Sequence, residues 1–573
     1  MLKDNSKLPY LLISLFSILL FVPYLGAVHL FDWDEINFAE SAREMLVTGN
    51  FRSVMVNYEP FWEKPPLFFW LQALSMKVFG VNEFAARFPN VLVGLTSLNI
   101  LYYFGNKLVS NKLAFAWVLL YAASISPHFY FHSGIIDPLF NLFIFLSVIQ
   151  LYRAKEKATT AAWMLAGLFL GLAVLTKGPA AGLIVLLLLG VIWVRNGFRF
   201  WFKWHHVIVF SIITLGITSI WFLPEVIQNG TGFLSNFLSY QIDLMKNPVA
   251  SHGQPWFYHP LVLLVGCFPA SILFLKRFTN DTNNDFESWA KVLFWVVLIL
   301  FSIVTTKIVH YSSLCYFPLT FLAAQRLVAW RDGDSLTTFE KVAFGAVGGL
   351  WMILFIALPI VGLNMSSLIA KYPEAIKDTF TLQNLSVDAR WNTIHLIIGI
   401  IGALLIGVLL RSLVKNNRLI TCYLLGGFVV YLSIFIATVV PRVEQYTQAS
   451  IIDFYKSLEG EDVYVDVYKY KSYAHYFYSK VQPLNDDDLL VQKRAYKLNS
   501  MGVTNRLELN EAQRKEYMNY EMDWFISGDI DKPVYLIAQP RKAHELQENP
   551  NFELIQNTGG YWVFKRQPLL IEN

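Results

Sequence analysis

The sequence predicts a polytopic α-helical membrane protein that ends in a small α/β domain. Of its 573 residues, 55% are hydrophobic and only 15% are charged, and the mean hydropathy is +0.43. Soluble domains are usually more polar than this. Apolar runs long enough to cross a bilayer, which takes roughly 20 residues each, follow one another up to about residue 440. A composition typical of a soluble domain follows them.

Charge and cysteine usage argue against two other classes of protein. A formal net charge of +4 without a dense Lys/Arg block is not typical of a nucleic-acid-binding protein. Cys267, Cys315 and Cys422 lie within apolar segments and lack metal-type spacing. We therefore interpret them as small core residues rather than as disulfide partners or metal ligands.

On length and hydropathy we count about thirteen candidate membrane spans. They lie at approximately 8–30, 88–108, 112–131, 135–153, 160–176, 179–195, 205–224, 256–276, 288–306, 309–328, 342–363, 393–411 and 418–440. The first span follows Lys3 and Lys7, as the apolar part of a signal peptide would. Its apolar run is too long for one, however, and no small-residue cleavage site follows it.

The loops between the spans predict how the chain is oriented in the membrane. With a cytoplasmic N-terminus, every predicted cytoplasmic loop contains Lys or Arg, and basic residues favour the cytoplasmic side. The opposite side then receives the long loops near 31–87, 225–255 and 364–391, together with everything after residue 441. This arrangement requires an odd number of spans.

The loop at 31–87 is too long for a simple connection, and long ordered loops are usually functional. Its segment DWDEINFAESAREMLVTGN predicts a helix, with Asp34 as the N-cap and Gly49 at the C-terminal end. Asp34 is then either a helix cap or, together with Glu35, an acidic group at the membrane surface. In both cases the positive end of the helix dipole favours a negative charge there.

The segment WEKPPLFFW, from the same loop, places Glu63 and Lys64 directly before two prolines. Lys64 is biased towards an extended conformation by the proline after it, and Pro66 suits the first turn of a helix. That helix, roughly 66–79, is apolar nearly all round and is predicted to lie along the membrane interface. Glu63 and Lys64 are then held at the edge of the bilayer, either as a weak surface salt bridge or as part of a site.

Further ionisable residues fall at the same predicted end of the later spans. They are Asp137, Lys177, Glu225, His252, Lys307 and His310. Ionisable residues at membrane depth are functional candidates by default. Lysines suit a phosphate group, a carboxylate can take a proton from a hydroxyl, and Glu with His can bind a divalent metal. The set predicts a reaction of a lipid phosphate outside the cytoplasm, although the IDP and TKGP segments are also compatible with tight turns.

After residue 441 the sequence has the patterns of a soluble domain. DVYVDVYKY, PVYLIAQP and YWVFKR predict strands, and RKAHELQEN predicts a helix. We therefore divide the chain into a membrane domain, 1–440, which includes the loop 31–87, and a soluble domain, 441–573.

Taken together and in order, these motifs resemble a known family. They are WDE with AREM, WEKPP, ARFPN, SGIIDP, LTKGP, SHGQPWFY and TKIVHYSSLCYFP. They are similar to bacterial relatives of the protein O-mannosyltransferases, and most of all to the aminoarabinose transferases that modify lipid A. The resemblance implies a GT-C fold in the bacterial inner membrane, with the C-terminal domain in the periplasm. It also implies that a sugar passes from a polyprenyl-phosphate carrier to a hydroxyl or phosphate of an acceptor, with inversion at the anomeric carbon.

The resemblance implies catalytic roles for three carboxylates. Asp34 resembles the catalytic aspartate of the first loop, Glu35 accompanies it, and Asp137 resembles a second essential carboxylate. In the aminoarabinose transferases an Arg-Tyr pair typically follows the Asp-Glu pair, whereas this chain has Asn37 and Phe38. That departure concerns the sugar and the acceptor rather than the class of reaction.

The resemblance also implies a phosphate site and a metal site. Lys64 resembles the lysine beside the donor phosphate, and Lys177 and Lys307 are expected to contact that phosphate too. Glu63 and His252 resemble the ligands of a divalent metal, zinc or another.

Two alternative functions are compatible with the same residues. A protein O-glycosyltransferase of the same fold would use a protein as the acceptor. A transporter or flippase of lipid-linked sugars would also carry charges in its spans. Its usual indication, paired interrupted helices in two repeated halves, is not apparent in this sequence.

Overall fold

The structure is a computed structural model that describes residues 7–157, 159–246, 253–276, 285–330, 336–504 and 506–568. Up to residue 444 it is almost entirely helical. The helices of this part are α1 (Leu8–Phe21), α2 (Asp34–Thr48), α3 (Leu67–Phe79), α4 (Glu83–Leu108), α5 (Asn111–Ala123), α6 (Ile125–Tyr130), α7 (Asp137–Lys157), α8 (Thr160–Lys177), α9 (Ala180–Arg195), α10 (Trp204–Lys246), α11 (Tyr258–Gly266), α12 (Ala270–Leu275), α13 (Asp285–Ile303), α14 (Tyr316–Val328), α15 (Thr338–Leu363), α16 (Met365–Lys371), α17 (Thr379–Leu385), α18 (Thr393–Val414), α19 (Arg418–Thr438) and α20 (Val440–Glu444). Short strands β1 (Met55–Val56) and β2 (Glu59–Pro60) pair between α2 and α3.

The predicted membrane architecture is confirmed at the level of fold class. Each predicted apolar run contains at least one helix, although the runs 112–131 and 256–276 are each divided into two short helices. Seven of the described helices are long and apolar enough to cross a membrane: Glu83–Leu108, Thr160–Lys177, Trp204–Lys246, Asp285–Ile303, Thr338–Leu363, Thr393–Val414 and Arg418–Glu444. The full number of spans and their orientation stay predictions.

Helix α10 extends well beyond its predicted end. The sequence predicts a span that stops at residue 224, whereas the helix continues through Pro224 to Lys246. Gly230 interrupts it with a φ of 69°, in the left-handed region that favours glycine. The part after this kink brings Tyr240 and Gln241 into contact with Glu63 of the long loop.

The predicted C-terminal end of helix α2 is confirmed, whereas its predicted N-cap is not. Gly49 ends the helix with a φ of 68°, as expected for a C-terminal glycine. The prediction that Asp34 is the N-cap is wrong, because Trp33 occupies that position and makes no side-chain capping bond. Asp34 is the first residue of the helix, and its carboxylate lies near His310 instead of capping a backbone amide.

Helix α2 is buried on more sides than its sequence indicates. Ile36, Ala39 and Ala42 follow helical spacing on one apolar face and are fully buried, yet every residue from 35 to 45 is buried. The additional cover comes from the C-terminal domain, because Ile451 and Tyr478 belong to the same hydrophobic cluster as this face. The boundary at residue 440 therefore separates two compositions but not two independent cores.

The C-terminal domain has the α/β architecture that the sequence predicts. Its elements are α21 (Ala449–Ser457), β3 (Tyr464–Tyr468), α22 (Ala474–Tyr478), α23 (Leu489–Ser500), α24 (Glu511–Ser527), β4 (Val534–Ala538), α25 (Pro540–Gln547), β5 (Glu553–Thr558) and β6 (Tyr561–Arg566). The sheet order is β3-β4-β6-β5, with β3 parallel to β4 and the other two pairs antiparallel. The three predicted strands and the predicted helix are confirmed as β3, β4, β6 and α25.

Candidate active site

Five of the ionisable residues considered above, two of them from the loop 31–87, form one cluster. We call Asp34, Lys64, Asp137, Lys177 and His310 the site cluster. The Lys177 ammonium lies 2.5 Å from an Asp137 carboxylate oxygen. His310 lies between the two aspartates, with its Nε2 3.6 Å from Asp34 and 3.7 Å from Asp137.

Helix ends bring Asp137 and Lys177 together. Asp137 is the first residue of α7 and Lys177 is the last residue of α8, and these two consecutive helices pack against each other. A carboxylate is favoured at a helix N-terminus and an ammonium at a C-terminus, so both charges agree with the helix dipoles. The Lys177 ammonium also lies 4.9 Å from the centre of the Tyr311 ring, a cation–π distance.

Glu63 and Lys64 are held in place by the kinked end of α10. The Tyr240 hydroxyl donates a hydrogen bond of 2.6 Å to the Glu63 carboxylate, and the Gln241 amide donates one of 3.2 Å to the Glu63 carbonyl. The Lys64 ammonium lies 5.0 Å from the centre of the Tyr240 ring, a cation–π distance. The charged pair of WEKPP is therefore half-buried and held by bonds to α10, unlike a freely exposed surface salt bridge.

The electrostatics of Lys64 also place it in the site cluster. Burial is the main cause that lowers its pKa, and Lys177 lowers it further. Glu63, Asp34 and Asp137 oppose this shift by stabilising the ammonium. A cation that is costly to bury and lies beside a second cation is well suited to binding an anion.

Glu35 does not face the site cluster, contrary to its expected catalytic role. Its carboxylate forms a buried ion pair with the Arg87 guanidinium through bonds of 2.9 and 3.0 Å. It also accepts hydrogen bonds from the backbone amides of Phe31 and Gly134. Burial opposes ionisation of Glu35, but Arg87 and these donors outweigh burial and hold its pKa below the usual value. Glu35 therefore anchors the start of α2, and no lone pair of its carboxylate is left for substrate.

Lys307 is buried, and its ammonium donates a 2.7 Å hydrogen bond to the carbonyl of Val304. Among the residues that the structure describes, no hydrogen bond or ion pair joins Lys307 to the site cluster, so its role at the donor phosphate stays a prediction. Glu225 is also engaged elsewhere, through bonds to Ser53 and Asn229.

The proposed metal site is only partly visible. His252 lies outside the described residues, and the Glu63 carboxylate already accepts a hydrogen bond from Tyr240. Among the described residues, no group of three or more His, Cys, Asp and Glu side chains could hold a metal ion. Metal binding by Glu63 and His252 stays a prediction, and no chemical step below depends on it.

Sequence reasoning gave no role to three residues that complete the site. His310 is one of the charges expected at this end of the bundle, but nothing in its spacing predicts that it lies between two aspartates. Tyr311, the next residue, packs against Lys177, and Tyr240 comes from a part of α10 beyond its predicted end. A lysine followed within four residues by His-Tyr, as in TKIVHY, is the only local signal that could have identified two of them.

Comparisons with known proteins agree with this fold. Residues 63–222 match the family described as dolichyl-phosphate-mannose-protein mannosyltransferase. An uncharacterized protein of Aquifex aeolicus (strain VF5) is 29% identical over 53% of this chain and 70% of its own length. The undecaprenyl phosphate-alpha-4-amino-4-deoxy-L-arabinose arabinosyl transferase of Enterobacter sp. (strain 638) is 28% identical over 56% of this chain. The match spans 61% of that relative's length.

A solved structure has the same fold along almost the whole chain. The crystal structure of ArnT from Cupriavidus metallidurans bound to undecaprenyl phosphate matches with a TM-score of 0.73 and covers 98% of both chains, at 18% sequence identity. At this identity the likeness concerns the fold alone, and it includes the C-terminal domain. In its fold and over the matched residues, this chain is therefore similar to GT-C glycosyltransferases of the protein O-mannosyltransferase-like superfamily, the bacterial aminoarabinose transferases among them.

Proposed function

We propose that this protein is an inverting glycosyltransferase of the bacterial inner membrane. It moves a sugar from a polyprenyl-phosphate carrier to an extracytoplasmic acceptor, lipid A or a related glycolipid. The observation that carries the proposal is the site cluster, in which two lysines and two aspartates from separate parts of the chain meet around His310. The aminoarabinose transferases among the relatives, named for an undecaprenyl-phosphate donor, support the donor class.

The lysines account for the departure of the carrier. When the bond between the anomeric carbon and the phosphate oxygen breaks, the electron pair stays on the polyprenyl phosphate, which gains negative charge. Preformed cations that face this oxygen stabilise the transition state more than the ground state. Lys64 lies over the Tyr240 ring and has no carboxylate at hydrogen-bonding distance among the described residues, so it is better suited to this task than Lys177, which is paired with Asp137.

The two aspartates have different tasks in this proposal. The Asp137 side chain is 4% exposed and is paired with Lys177, so it positions Lys177 and His310. The Asp34 side chain is 43% exposed, and its nearest ionisable partner is His310. Asp34 therefore takes the proton of an acceptor hydroxyl, or orients an acceptor phosphate, as that oxygen attacks the anomeric carbon from the face opposite the carrier.

Sugar transfer by the purified full-length protein in detergent tests the proposal. The donors are radiolabelled polyprenyl-phosphate sugars, including pentose and hexose forms, and the acceptors are lipid A and a protein, each with and without a chelator. We expect turnover with one donor and a lipid acceptor, and loss of that turnover in Lys64→Ala. Label on protein alone would make the acceptor a protein and the enzyme an O-glycosyltransferase.

A second assay separates the enzyme from a transporter. The same donors are placed in the inner leaflet of liposomes that contain the protein, and their appearance in the outer leaflet is measured. Movement of the labelled lipid by folded protein that transfers no sugar with any pair of substrates would replace the transferase with a flippase. In that case the site cluster would be part of a translocation path.

A further inference from the structure

A cavity opens where the C-terminal domain meets the long loop, 31–87. Its volume is about 520 Å³, which lies in the range of small-molecule binding sites. One wall is formed by residues 56–63 of the loop, another by Asn236 and Tyr240 of α10, and the rest by the C-terminal domain. Nothing in the proposed mechanism uses this space, although it is larger than the cavity within the C-terminal domain, which measures about 270 Å³.

The cavity borders the site cluster. Glu63 and Tyr240, which are hydrogen-bonded to each other, line the cavity, and the Tyr240 ring also contacts Lys64 of the site cluster. On the other side, Lys471 lies 4.8 Å from the ring of Trp33, whose indole nitrogen donates to the Lys471 carbonyl. Trp33 immediately precedes Asp34. A ligand bound in the cavity therefore lies next to the carboxylate that we assign to the acceptor.

Several of the cations that line the cavity form no ion pair with a described acidic residue. Arg494 is paired with Glu521 at 2.6 Å. Among the described residues, by contrast, Lys471, Arg506 and Arg514 have no carboxylate within ion-pair distance. Lys471 and Arg506 lie against aromatic rings instead, and Arg514 is exposed. Arginine side chains bind phosphate oxygens in pairs and with defined geometry.

The acidic residues of the cavity do not cancel these cations. Glu63 accepts a hydrogen bond from Tyr240, and Glu59 acts on the same Arg494 as Glu521. Burial, with a contribution from Glu521, raises the pKa of Asp466 to about 7. The free charge that faces a ligand is therefore mainly positive.

One buried polar side chain lacks a partner and lines the cavity. His475 is 1% exposed, and neither of its ring nitrogens has a hydrogen-bond partner among the described residues. Its closest polar contact, to Asp466, measures 3.6 Å, which is too long for a hydrogen bond. Tyrosines 470, 473 and 476 line the same wall. Flat rings next to unused polar atoms suit the faces and hydroxyl groups of a sugar.

We propose that this cavity binds the anionic saccharide headgroup of the acceptor and presents it to Asp34. Arg506, Arg514 and Lys471 hold a phosphate of that headgroup, while His475 and the tyrosines contact its sugar rings. The inference rests on the proposed transferase function and deepens it, because it assigns acceptor recognition to the C-terminal domain. Acceptor binding at this place would also give a purpose to the hydrophobic core that α2 of the long loop shares with the C-terminal domain.

Binding by the full-length protein in detergent tests the proposal directly. The probes for isothermal titration calorimetry are a phosphorylated glucosamine disaccharide, the same disaccharide without phosphate, and inorganic phosphate. We expect the phosphorylated disaccharide to bind most tightly. Loss of a charge-assisted bond in Arg506→Ala or Arg514→Glu should weaken it about tenfold or more. The control is Lys515→Ala, on an exposed neighbour in α24 that does not line the cavity, and it should bind as the wild type does.

The outcomes separate this site from the catalytic proposal. Asp34→Asn should lower transfer by about a hundredfold or more and leave binding of the phosphorylated disaccharide intact. Unchanged binding in both arginine variants would overturn the site, even if sugar transfer is observed. Inorganic phosphate that binds as tightly as the disaccharide would overturn the saccharide assignment. Binding that follows the expected pattern without transfer from any donor would support the site and count against the transferase.

Discussion

Asp34 and Glu35 are adjacent in the first turn of one helix but belong to different regions of the molecule. Asp34 faces the site cluster, where its side chain is 43% exposed and its nearest ionisable partner is His310. Glu35 faces the interior, where Arg87 and two backbone amides use its lone pairs. The comparison teaches that a carboxylate at a membrane surface is a candidate for chemistry only where the fold leaves it incompletely paired.

The buried ion pair between Glu35 and Arg87 also helps to position the site cluster. Besides Glu35, the Arg87 guanidinium binds the carbonyls of Leu25, Val28 and His29, which lie just before α2. These bonds connect the start of α4 to the end of the first span and the start of the long loop. The position of Asp34 is therefore set by charges that take no part in the reaction.

The largest effect is expected for Asp34. Replacement by Asn keeps the size and the helix position but removes the base, so turnover should fall by about a hundredfold to ten-thousandfold. The thermal unfolding midpoint should stay within error of the wild type, because Asp34 makes no buried bond. Activity is measured with the donor and acceptor pair found above. Near-normal turnover in Asp34→Asn would remove Asp34 from the mechanism.

Glu35→Gln should give the reverse pattern. It leaves the buried Arg87 charge without its partner, which should lower the free energy of unfolding by about 3–5 kcal/mol. Turnover per folded molecule should change much less than in Asp34→Asn. Chemical denaturation in detergent measures the first quantity, and activity corrected for the folded fraction measures the second. Full stability with lost turnover would mean that Glu35 is catalytic after all.

Asp466 is a half-buried carboxyl with no arginine at ion-pair distance among the described residues, and it shows what such a group does to stability. Its folded pKa of about 7 lies above the ordinary value of 3.8, and the neighbouring His475 has a pKa lowered to about 3 by burial, so it supplies no charge. The folded state holds this proton more tightly than the unfolded state, so stability should fall as pH rises from about 4 to 7. Asp466→Asn should remove that slope and add about 1–3 kcal/mol at pH 8, since each pKa unit is worth about 1.4 kcal/mol.

The sign of the change in stability with pH distinguishes Asp466 from Glu35. Glu35 has the opposite shift, so its stabilisation is present at neutral pH and is lost as pH falls through its lowered pKa. Unfolding curves of the wild type and of Asp466→Asn between pH 4 and 8 give the comparison. An identical pH dependence in the two proteins would show that Asp466 does not titrate in this range.

Lys64→Met should slow sugar transfer without unfolding the protein. Losing a charge-assisted contact to the leaving phosphate should lower kcat/KM for the polyprenyl-phosphate sugar by about tenfold or more, mainly through kcat. Lys77→Met, in the exposed last turn of α3, is the matched control and should leave kcat/KM unchanged. If both substitutions have the same effect, Lys64 acts through the general surface charge and not through a specific contact.

The smallest effect is expected at the far end of α7. Asp285 pairs with Lys155 at 2.8 Å, much as Asp137 pairs with Lys177, but the side chains are 43% and 22% exposed. Asp285→Asn should change the free energy of unfolding by less than about 1 kcal/mol, because water screens exposed pairs, and it should not change turnover. A large loss of activity in Asp285→Asn would show that the exposed pair at this end of α7 matters for the reaction as much as the Asp137–Lys177 pair does.

Much of the fold could be predicted because it depends on local patterns. Apolar runs of membrane length, Gly49 at the end of α2 and the alternation in YWVFKR each act within a few residues, and each corresponds to an observed element. The end of α10 could not be predicted in this way. Proline usually ends a helix, but the helix continues through Pro224 and kinks at Gly230 instead.

The sequence by itself determined the class of the protein, the two compositions along the chain and the motifs that contain Asp34, Glu63, Lys64, Asp137 and Lys177. Only the tertiary structure decided which charges meet. Glu35 finds its arginine 52 residues further along the chain, and His310 comes from another segment to lie between two aspartates. The C-terminal domain covers α2 in the same way. Pairing of distant side chains depends on how helices pack, and a local pattern of residue types carries no information about that packing.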